Sequence, residues 1–476
     1  MIIDLIKPAE LKVNPDSLII HNDKEVPYSK INSLVYKTSL FLKDEGIKEN
    51  DIITLLSNNS VDFIITILSL WEIGAIPAPL NIKLLGKDLD EQIKFLNAGF
   101  TIKSKEFLNV STPGKNILIS FDDLPDNKEK IRQKNFSKEN TALILFTSGS
   151  SGKPKAVMLS FENLIQSAII GNKVLNLTNK DRWLASLPFY HIGGFSIIIR
   201  ALLFGSSIII PASLSCEDLM KSLMKYHSTL ASLVSNQLKR FIDMNFVPPE
   251  ELRMVLLGGG FSNKNLILKA IDQGWKIAKV YGSTETSSFV SFMNYEEVKK
   301  KPEASGKVIH PNKIIITDDG EILVRSSAIM KGYFNNEDET SAKLKNEFYY
   351  TGDIGHLDDE GCLYIEAKRS DLIISGGENV NPVEVENEIL SHSNVKEVCV
   401  VGIEDKKWGQ IVSGAIVLMV NCKLPEKELK DFLRDKLSSY KIPKQIIFVN
   451  QLPKSELGKI LREEVKKLFN KRWNKI

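Results

Sequence analysis

The chain has 476 residues, of which 43% are hydrophobic and 25% are charged, a balance typical of globular proteins. A chain of this length is too long to fold around a single hydrophobic core, so we expect about two to four structural units. The 62 basic and 59 acidic residues are mixed along the chain and leave a net charge of only +3, which argues against a nucleic-acid-binding surface.

Residues 1–8 include an acid and a proline where a secretory signal would have a positive segment and a long apolar run. Apolar stretches such as 63–70 are too short to span a bilayer. We therefore expect a cytoplasmic protein without a membrane span. The cysteines lie far apart in the sequence, which is typical of small core residues rather than of a disulfide framework or a zinc site. They are Cys216, Cys362, Cys399 and Cys422.

Residues 28–96 alternate helical periodicity with short β-like runs at 52–56 and 75–80. This alternation is typical of βαβ units with a parallel sheet. The same alternation returns between residues 142 and 281. The sequence therefore predicts a large α/β body.

A loop rich in hydroxyl groups and lysine follows the apolar run 142–146. It reads TSGSSGKPK over residues 147–155, and we expect it to connect a buried strand to a helix that begins near Ser160. Backbone N–H groups, hydroxyls and ammonium groups are suited to binding polyphosphate, which makes ATP the candidate ligand.

This loop differs from the Walker A motif, in which four residues separate the glycines and Ser or Thr follows the lysine. Here Gly149 and Gly152 enclose two residues, and Pro154 follows Lys153. A Mg²⁺ ligand must therefore come from elsewhere in the chain. A flexible surface turn is the alternative, but it does not account for the density of hydroxyls and lysines.

The segment LPFYHIGGFSIIIR, residues 187–200, places Arg200 in an apolar helical pattern nine residues after His191. An unpaired guanidinium in such a helix would be costly. The sequence leaves open a structural Asp or Glu, a side chain that snorkels to the surface, or an anionic group of a ligand. His191 is either a core histidine or a residue of a binding pocket.

Two further segments at the ends of predicted strands are suited to a nucleotide. The glycines at 258–260 would let the backbone approach a flat ligand, although a plain turn explains them equally well. In YGSTET, residues 281–286, Tyr281 offers an aromatic face and Glu285 offers oxygen ligands for Mg²⁺. A salt bridge is the alternative role for Glu285.

Beyond residue 306 the sequence changes to short strands joined by acidic, glycine-containing turns, which predicts an antiparallel, barrel-like region. Asp353 follows the aromatic residues 348–350, and we expect it at a turn. Its carboxylate can accept hydrogen bonds from both ribose hydroxyls, and capping the turn is the alternative.

From about residue 370 onwards a compact α+β segment has apolar faces of its own, to which Val385 and Leu429 belong. About a hundred residues of this kind can form an independent domain, so we predict domains at 1–369 and 370–476. Lys459 follows Gly458 in this second domain and is suited to delivering a cation to phosphoryl oxygens. The alternative is that it is one surface lysine among many.

Five of these segments, at 147–155, 256–260, 281–286, 348–353 and 453–460, resemble in this order the adenylate-forming superfamily of acyl-CoA synthetases, peptide-synthetase adenylation domains and luciferases. The resemblance covers essentially the whole chain. It implies a two-step ligase in which a carboxylate attacks the α-phosphate of ATP, giving acyl-AMP and pyrophosphate, and a thiol then displaces AMP. It also implies an α/β fold: two α/β subdomains with a small β-barrel-like subdomain, followed by a mobile α+β C-terminal domain.

By this resemblance, the loop at 147–155 holds the leaving phosphates, Asp353 binds ribose, and Lys459 stabilises charge once the small domain closes about a hinge at Ser370. The chain departs from the superfamily at Lys368, where members usually have arginine and where lysine loses the bidentate geometry. The predicted site comprises catalytic Lys459, Thr284, Glu285 and His191; nucleotide-binding Thr147, Ser148, Gly149, Ser150, Ser151, Gly152, Lys153, Lys155, Gly258, Gly259, Gly260, Tyr281, Gly282, Asp353 and Lys368; acid-binding Arg200 and His191; and Glu285 for Mg²⁺.

Within the superfamily, segments 187–200, 227–234 and 282–288 resemble the o-succinylbenzoate:CoA ligases of menaquinone biosynthesis, which keep a cation at this spacing after the histidine. This implies a dicarboxylate whose ring carboxylate meets Arg200. The alternatives are a fatty-acid or benzoate type of acyl-CoA or aryl-CoA synthetase, an adenylation domain that serves a carrier protein, and a regulatory nucleotide-binding protein. The expected ligands are ATP, Mg²⁺, coenzyme A and a small carboxylic acid. The sequence leaves open whether the chain forms a homo-oligomer.

Overall fold

The computed structural model describes residues 17–84, 86–118, 137–147, 154–260, 262–368, 371–375, 378–405, 408–455, 458 and 460–473. The helices are α1 (Tyr28–Asp44), α2 (Val61–Ile73), α3 (Lys87–Phe95), α4 (Phe161–Leu175), α5 (Ile192–Phe204), α6 (Cys216–Lys225), α7 (Ser235–Asp243), α8 (Lys264–Asp272), α9 (Tyr295–Lys300), α10 (Glu337–Lys343), α11 (Pro382–Leu390), α12 (Glu426–Arg434) and α13 (Arg462–Trp473), with a short 3₁₀ helix at Lys105–Phe107.

The strands are β1 (Leu18–His21), β2 (Lys24–Pro27), β3 (Ile52–Leu56), β4 (Ile76–Pro79), β5 (Phe100–Lys103), β6 (Lys115–Leu118), β7 (Thr141–Thr147), β8 (Lys155–Ser160), β9 (Arg182–Leu184), β10 (Ser207–Ile210), β11 (Leu230–Leu233), β12 (Met254–Leu257), β13 (Ile277–Ser283), β14 (Ser288–Met293), β15 (Lys307–Val308), β16 (Lys313–Ile316), β17 (Glu321–Arg325), β18 (Gly332–Tyr333), β19 (Leu344–Lys345), β20 (Phe348–Leu357), β21 (Leu363–Lys368), β22 (Ile373–Ser375), β23 (Glu378–Val380), β24 (Val395–Asp405), β25 (Gly409–Leu418) and β26 (Gln445–Phe448).

The largest sheet has the strand order β15-β14-β13-β12-β11-β9-β10-β1-β2. From β1 to β13 its neighbouring strands run parallel, and the antiparallel strands lie at its two edges. Parallel strands are covered on both faces, which is why β10 and β11 consist entirely of buried residues. The predicted α/β body is confirmed.

A second sheet, β4-β3-β5-β6, is parallel throughout and contains the predicted βαβ unit. Helix α2 connects β3 to β4. The Ser60 hydroxyl caps its first turn by accepting a hydrogen bond from the Phe63 N–H, and Gly74 ends it in a left-handed conformation. One hydrophobic core joins α1 and α2 to α4 and α5.

The prediction that the loop after β7 leads directly into a helix was wrong. Strand β8 lies between the loop and α4, and it pairs antiparallel with β7 so that Thr147 faces Lys155. The loop therefore closes a hairpin. The sequence analysis placed the loop at 147–155 and predicted no strand between Lys155 and Ser160, where the helical periodicity begins. There a capping box with Asn163 fixes the start of α4.

The region beyond residue 306 is antiparallel, as predicted, with β16, β17, β20 and β19 in order and β21 paired with β20. The predicted position of Asp353 at a turn was wrong. Asp353 lies within β20, directly after Gly352, whose φ is +74°, and next to a register shift between Ile354 and Gly355. This irregularity redirects side chains in the middle of a strand.

The C-terminal segment has its own sheet, β23-β22-β25-β24 with β26 beside β25. Two hydrophobic clusters consist only of residues from 373 onwards, and the predicted core residues Val385 and Leu429 are both 0% exposed. A small α+β domain with its own core follows the large one. The boundary between 369 and 370 stays a prediction, because both residues lie outside the described ranges.

Cys216, Cys362 and Cys399 are buried free thiols, as predicted, whereas the free thiol of Cys422 is half-buried. Within the described ranges, no helix is both long and apolar enough to cross a bilayer.

Candidate active site at the carboxyl ends of the parallel strands

The predicted nucleotide segments meet at one edge of the largest sheet. Strands β11, β12 and β13 are parallel neighbours, so residues 258–260 after β12 and residues 281–286 at the end of β13 lie side by side. In open α/β sheets this edge, outside the carboxyl ends of the strands, is where ligands bind. The fold therefore brings together two segments that are more than twenty residues apart in the chain.

The three glycines after β12 have different roles. A Cβ on Gly258 would lie 2.6 Å from Val280 Cγ2, so packing between the strands excludes a side chain there. Gly259 has φ +78°, a left-handed conformation that favours glycine. A Cβ on Gly260 would meet nothing within 4 Å. Strand packing thus accounts for Gly258 and turn geometry for Gly259, and an approaching ligand stays a prediction for this segment.

Tyr281 and Asp353 are linked across the site. The Tyr281 hydroxyl donates a hydrogen bond to Asp353 Oδ2 at 2.8 Å. Burial, together with the Asp353 carboxylate, raises the pKa of Tyr281 well above its usual range, so this hydroxyl remains a donor at neutral pH. Lys368 is the backbone partner of Asp353 in the β20–β21 pair. The predicted ribose carboxylate thus lies beside the predicted adenine platform.

Glu285 is held by a tyrosine that the sequence did not indicate. The Tyr333 hydroxyl donates to Glu285 Oε1 at 3.1 Å, and the Met330 N–H donates to the Glu285 carbonyl at 2.8 Å. Burial first, and then the Glu285 carboxylate, raise the pKa values of both Tyr333 and Tyr349. These phenols stay protonated and form a polar wall around the carboxylate.

Lys155 lies next to this wall. Its ammonium group forms an ion pair with Glu339 and lies 5.3 Å from the centre of the Tyr333 ring. Thr147, opposite Lys155 in the hairpin, completes the base of the phosphate loop. The predicted residues Ser148, Gly149, Ser150, Ser151, Gly152 and Lys153 lie outside the described ranges.

The turn between β13 and β14 carries Thr284 and is held tightly. Gly282 faces the Ser288 carbonyl so closely that a Cβ would overlap with it. Ser287 and Ser288 both have positive φ, +52° and +120°, and the Thr286 hydroxyl bonds to the Ser288 carbonyl at 2.6 Å. Backbone strain of this kind persists where the surrounding structure fixes it, and it is common at functional sites.

Lys459, Ser370 and the side chain of Lys368 also lie outside what the structure describes. The neighbour of Lys459 is described: Gly458 has φ +76°, and a Cβ on it would lie 2.5 Å from Asn236 Nδ2. Asn236 belongs to α7, which begins directly after β11. The small domain therefore contacts the large domain at the carboxyl edge of the sheet, one residue before the predicted catalytic lysine.

The residues fit the expected Mg²⁺ ion. The Glu285 carboxylate shares its neighbour Tyr333 with Lys155, and no ion pair joins it to a lysine or arginine among the described residues. Mg²⁺ is usually bound by one or two carboxylates together with substrate phosphates rather than by an all-protein cage. In the described ranges no group of three His, Cys, Asp or Glu side chains could hold a metal ion by itself.

Helix α5 carries the predicted acid-binding residues. His191 is its N-cap residue, is half-buried, and has its ring centre 4.8 Å from that of Tyr190. The Asn59 amide braces the preceding loop by donating to the Leu187 carbonyl at 2.8 Å. His191 is thus not a fully buried core residue, and its place in a binding pocket stays a prediction.

Arg200 is almost completely buried, with 2% of its surface exposed. Its Nη1 donates to the Ser196 hydroxyl at 2.8 Å, and its guanidinium carbon lies 4.5 Å from the centre of the Phe289 ring. Within the described residues, Nε and Nη2 have no hydrogen-bond partner. Burial lowers the pKa of Arg200 to about 9, and no described carboxylate raises it again, so the guanidinium is a charged and underpaired group at neutral pH.

Two of the three alternatives for Arg200 are therefore excluded within the described ranges. It does not snorkel to solvent, and it does not pair with a described Asp or Glu. An anionic group of a ligand stays the prediction for this guanidinium. Arg200 is also close to the nucleotide segments, because its aromatic partner Phe289 pairs with Gly282 in the β13–β14 ladder.

Sequence reasoning missed four residues that complete this site: Tyr333, Glu339, Asn236 and Phe289. Each reaches a predicted residue only through tertiary contact. Tyr333, for example, comes near the phosphate hairpin because β18 pairs with β8. Local patterns carry no signal for such pairs.

Comparison with known proteins agrees with the geometry. The AMP-binding enzyme family matches residues 9–334, and the AMP-binding enzyme C-terminal domain matches residues 384–459. A 2-succinylbenzoate–CoA ligase from Listeria innocua is 35% identical over 456 residues, which cover 95% of this chain and 96% of that protein.

Solved structures of the o-succinylbenzoate CoA synthetase (MenE) from Bacillus subtilis are also similar. In complex with the acyl-adenylate intermediate OSB-AMP it has a TM-score of 0.87 at 31% identity, covering 95% of this chain and 96% of that one. The complex of the same enzyme with ATP and magnesium ion has a TM-score of 0.87 at 31% identity, covering 95% of this chain and 97% of that one. A double mutant of this enzyme bound with the product analogue OSB-NCoA has a TM-score of 0.71 at 31% identity, covering 96% of each chain. This chain belongs to the AMP-binding enzyme family.

Proposed function

We propose that the chain is an ATP-dependent, AMP-forming o-succinylbenzoate:CoA ligase of menaquinone biosynthesis. The observation that carries the choice of acid is the buried, underpaired guanidinium of Arg200. o-Succinylbenzoate has a succinyl carboxylate that can be activated and a ring carboxylate that can meet this cation. The relatives named for the same reaction support this choice.

In the first step, an oxygen of the succinyl carboxylate attacks the α-phosphorus of ATP. The bond from this phosphorus to the oxygen bridging to the β-phosphate breaks, and pyrophosphate leaves. Tyr281 and Asp353 would bind adenine and ribose, and Thr284 would contact the α-phosphate. Lys155 and the loop at 148–153 would hold the leaving phosphates. Bound at Glu285, Mg²⁺ would supply positive charge to the phosphate oxygens, where charge develops in the transition state.

Lys459 would provide a further cation in this step, provided that the small domain is closed. The contact of Gly458 with Asn236 supports such a closed arrangement. The chain also superposes better on the OSB-AMP complex than on the OSB-NCoA complex of the Bacillus subtilis enzyme. Both observations support an arrangement suited to adenylation.

In the second step, the thiol of coenzyme A loses its proton to solvent and its sulfur attacks the acyl carbon. The bond from this carbon to the AMP oxygen breaks, AMP leaves, and o-succinylbenzoyl-CoA forms. His191, at the start of α5, would line the acyl pocket. The small domain would have to move away from Asn236 to admit the thiol. A cytoplasmic location and the oligomeric state stay predictions from the sequence.

Fatty-acid and benzoate ligases are the alternatives within the family. Neither substrate has a second carboxylate, so each would leave Arg200 unpaired in an apolar site, an arrangement that disfavours binding strongly. Retention of Glu285, Asp353 and Lys459 together argues against a regulatory nucleotide-binding protein, which would need no lysine on a mobile domain.

The test is ATP–pyrophosphate exchange by the purified protein with o-succinylbenzoate, benzoate and octanoate, followed by CoA-dependent thioester formation. We expect exchange with o-succinylbenzoate only, and a CoA thioester as the product. Exchange that is faster with octanoate or benzoate would reject the proposed acid. No exchange with any of the acids would reject the ligase, and acyl transfer to a carrier protein but not to CoA would favour the adenylation-domain alternative.

A further inference from the structure

A glycine in the middle of α4 lies directly against Arg200. A Cβ on Gly171 would lie 3.1 Å from Phe289 Cζ and 3.3 Å from both Nε and Nη2 of Arg200. Glycine weakens a helix interior, and here it has ordinary helical geometry rather than the left-handed conformation that would require it. What the position requires is the absence of a side chain, so that the guanidinium can lie against the helix.

Phe289 holds the guanidinium from the strand side, with 4.5 Å between the guanidinium carbon and the ring centre. Ser196, one turn before Arg200 on α5, accepts the hydrogen bond from Nη1 at 2.8 Å. Gly171, Ser196 and Phe289 thus form an arginine seat built from α4, α5 and β14. All three seat residues are buried, so the seat is part of the packed core.

We propose that Gly171 and Phe289 are positioning residues of this seat and determine specificity for a second carboxylate on the acid. The proposal rests on the proposed function. A guanidinium recognises a carboxylate through two parallel N–H···O bonds, and such a pair tolerates little displacement. A methyl group at position 171 would push the guanidinium by a few tenths of an ångström, and loss of the aromatic face would release it.

A purely structural role for Gly171 makes a different prediction. If the glycine only allowed α4 and α5 to pack, a substitution would weaken turnover of every acid to the same extent. If it positions Arg200, the loss should be confined to acids with a ring carboxylate. A matched pair of substrates separates the two roles: o-succinylbenzoate, and 4-oxo-4-phenylbutanoate, which is the same molecule without the ring carboxylate.

The experiment measures kcat and KM for both acids by pyrophosphate exchange in the wild type, Gly171→Ala and Phe289→Leu, with melting temperatures for all three. Gly99→Ala is the control, since a Cβ there would meet nothing within 4 Å. We expect KM for o-succinylbenzoate to rise about tenfold in both seat variants, with kcat and the phenyl acid changed less than about twofold. Gly99→Ala should match the wild type.

The outcomes separate the two claims. If the wild type activates o-succinylbenzoate but a folded Gly171→Ala variant loses both acids equally, the positioning role is wrong and the proposed function stands. The role is also wrong if Gly171→Ala and Phe289→Leu leave KM for o-succinylbenzoate unchanged. If the wild type does not activate o-succinylbenzoate, the proposed function itself fails. Should Gly171→Ala not fold, Phe289→Leu alone decides.

Discussion

The nucleotide half and the acyl half of the site differ in how completely their polar groups are paired before any ligand binds. In the nucleotide half, Tyr281 donates to Asp353 and Tyr333 donates to Glu285. In the acyl half, two nitrogens of the Arg200 guanidinium have no partner among the described residues. Under the proposed function, the paired half binds ATP, and the unpaired half selects the acid.

The energetic consequence follows from burial. A buried donor without a partner costs about 1–3 kcal/mol, and more when it is charged. An acid that brings the missing carboxylate recovers this free energy on binding, whereas an acid without it does not. Under the proposed function, the buried Arg200 guanidinium therefore destabilises the free protein, and the same free energy favours acids that carry a second carboxylate.

The largest expected effect lies on the nucleotide side. Lys459→Ala should slow pyrophosphate exchange on the order of 10³-fold, because a cation that meets developing phosphoryl charge is lost. Transfer from isolated acyl-adenylate to coenzyme A should change far less. The control is Lys454→Ala, which removes a nearby lysine paired with Glu397 at 2.7 Å. Equal losses in both half-reactions would show that Lys459 has no specific role in adenylation.

A smaller loss is expected for Glu285→Gln. The amide retains an acceptor for the Tyr333 hydroxyl but loses the charge for Mg²⁺, so exchange should fall on the order of 10²-fold and need more magnesium. Titration of exchange rate against Mg²⁺ measures this, with Glu296→Gln on the exposed face of α9 as the control. An unchanged magnesium dependence would place the metal elsewhere.

Gly458→Ala tests the contact between the domains. Its new Cβ would lie 2.5 Å from Asn236 Nδ2, and the residue would keep an unfavourable left-handed φ, so we expect adenylation to slow about tenfold. Adding Asn236→Ala removes the steric part and should restore some of the rate. A double variant that is no faster than Gly458→Ala would mean that this contact does not control closure.

The smallest effect is expected for Tyr281→Phe. Removing one neutral donor to Asp353 should raise KM for ATP about fivefold and leave kcat for the chemical step nearly unchanged, since a typical hydrogen bond contributes about 1 kcal/mol. Steady-state kinetics with varied ATP measure this change. If Tyr281→Phe lowers activity with o-succinylbenzoate but not with 4-oxo-4-phenylbutanoate, Tyr281 also affects acid selection, and the two halves of the site are not independent.

Local sequence determined much of the paired half. The apolar run before Thr147 is strand β7, and the Ser160 capping box starts α4 where the periodicity indicated. Strand β8 was missed because it is only six residues long and directly follows a sequence typical of a loop. Asp353 was misplaced because a bulge in a long strand looks like a turn in the sequence.

The unpaired half illustrates the opposite limit. The sequence indicated that the Arg200 guanidinium needs a partner but left three alternatives for that partner. Only the tertiary structure shows that Arg200 is buried and that no described carboxylate lies beside it. Phe289 is 89 positions away and Gly171 is 29 positions away, so no periodic pattern connects either residue to Arg200. Helix packing against β14 creates the arginine seat.

The most direct test is the ratio of kcat/KM for o-succinylbenzoate to that for 4-oxo-4-phenylbutanoate, measured in the wild type and in Arg200→Met. Methionine fills the buried volume without charge, so the fold should be retained. We predict a ratio on the order of 10² or more in the wild type, falling to near unity in Arg200→Met. An Arg200→Met enzyme that keeps the wild-type ratio would contradict the claim that this guanidinium selects the acid.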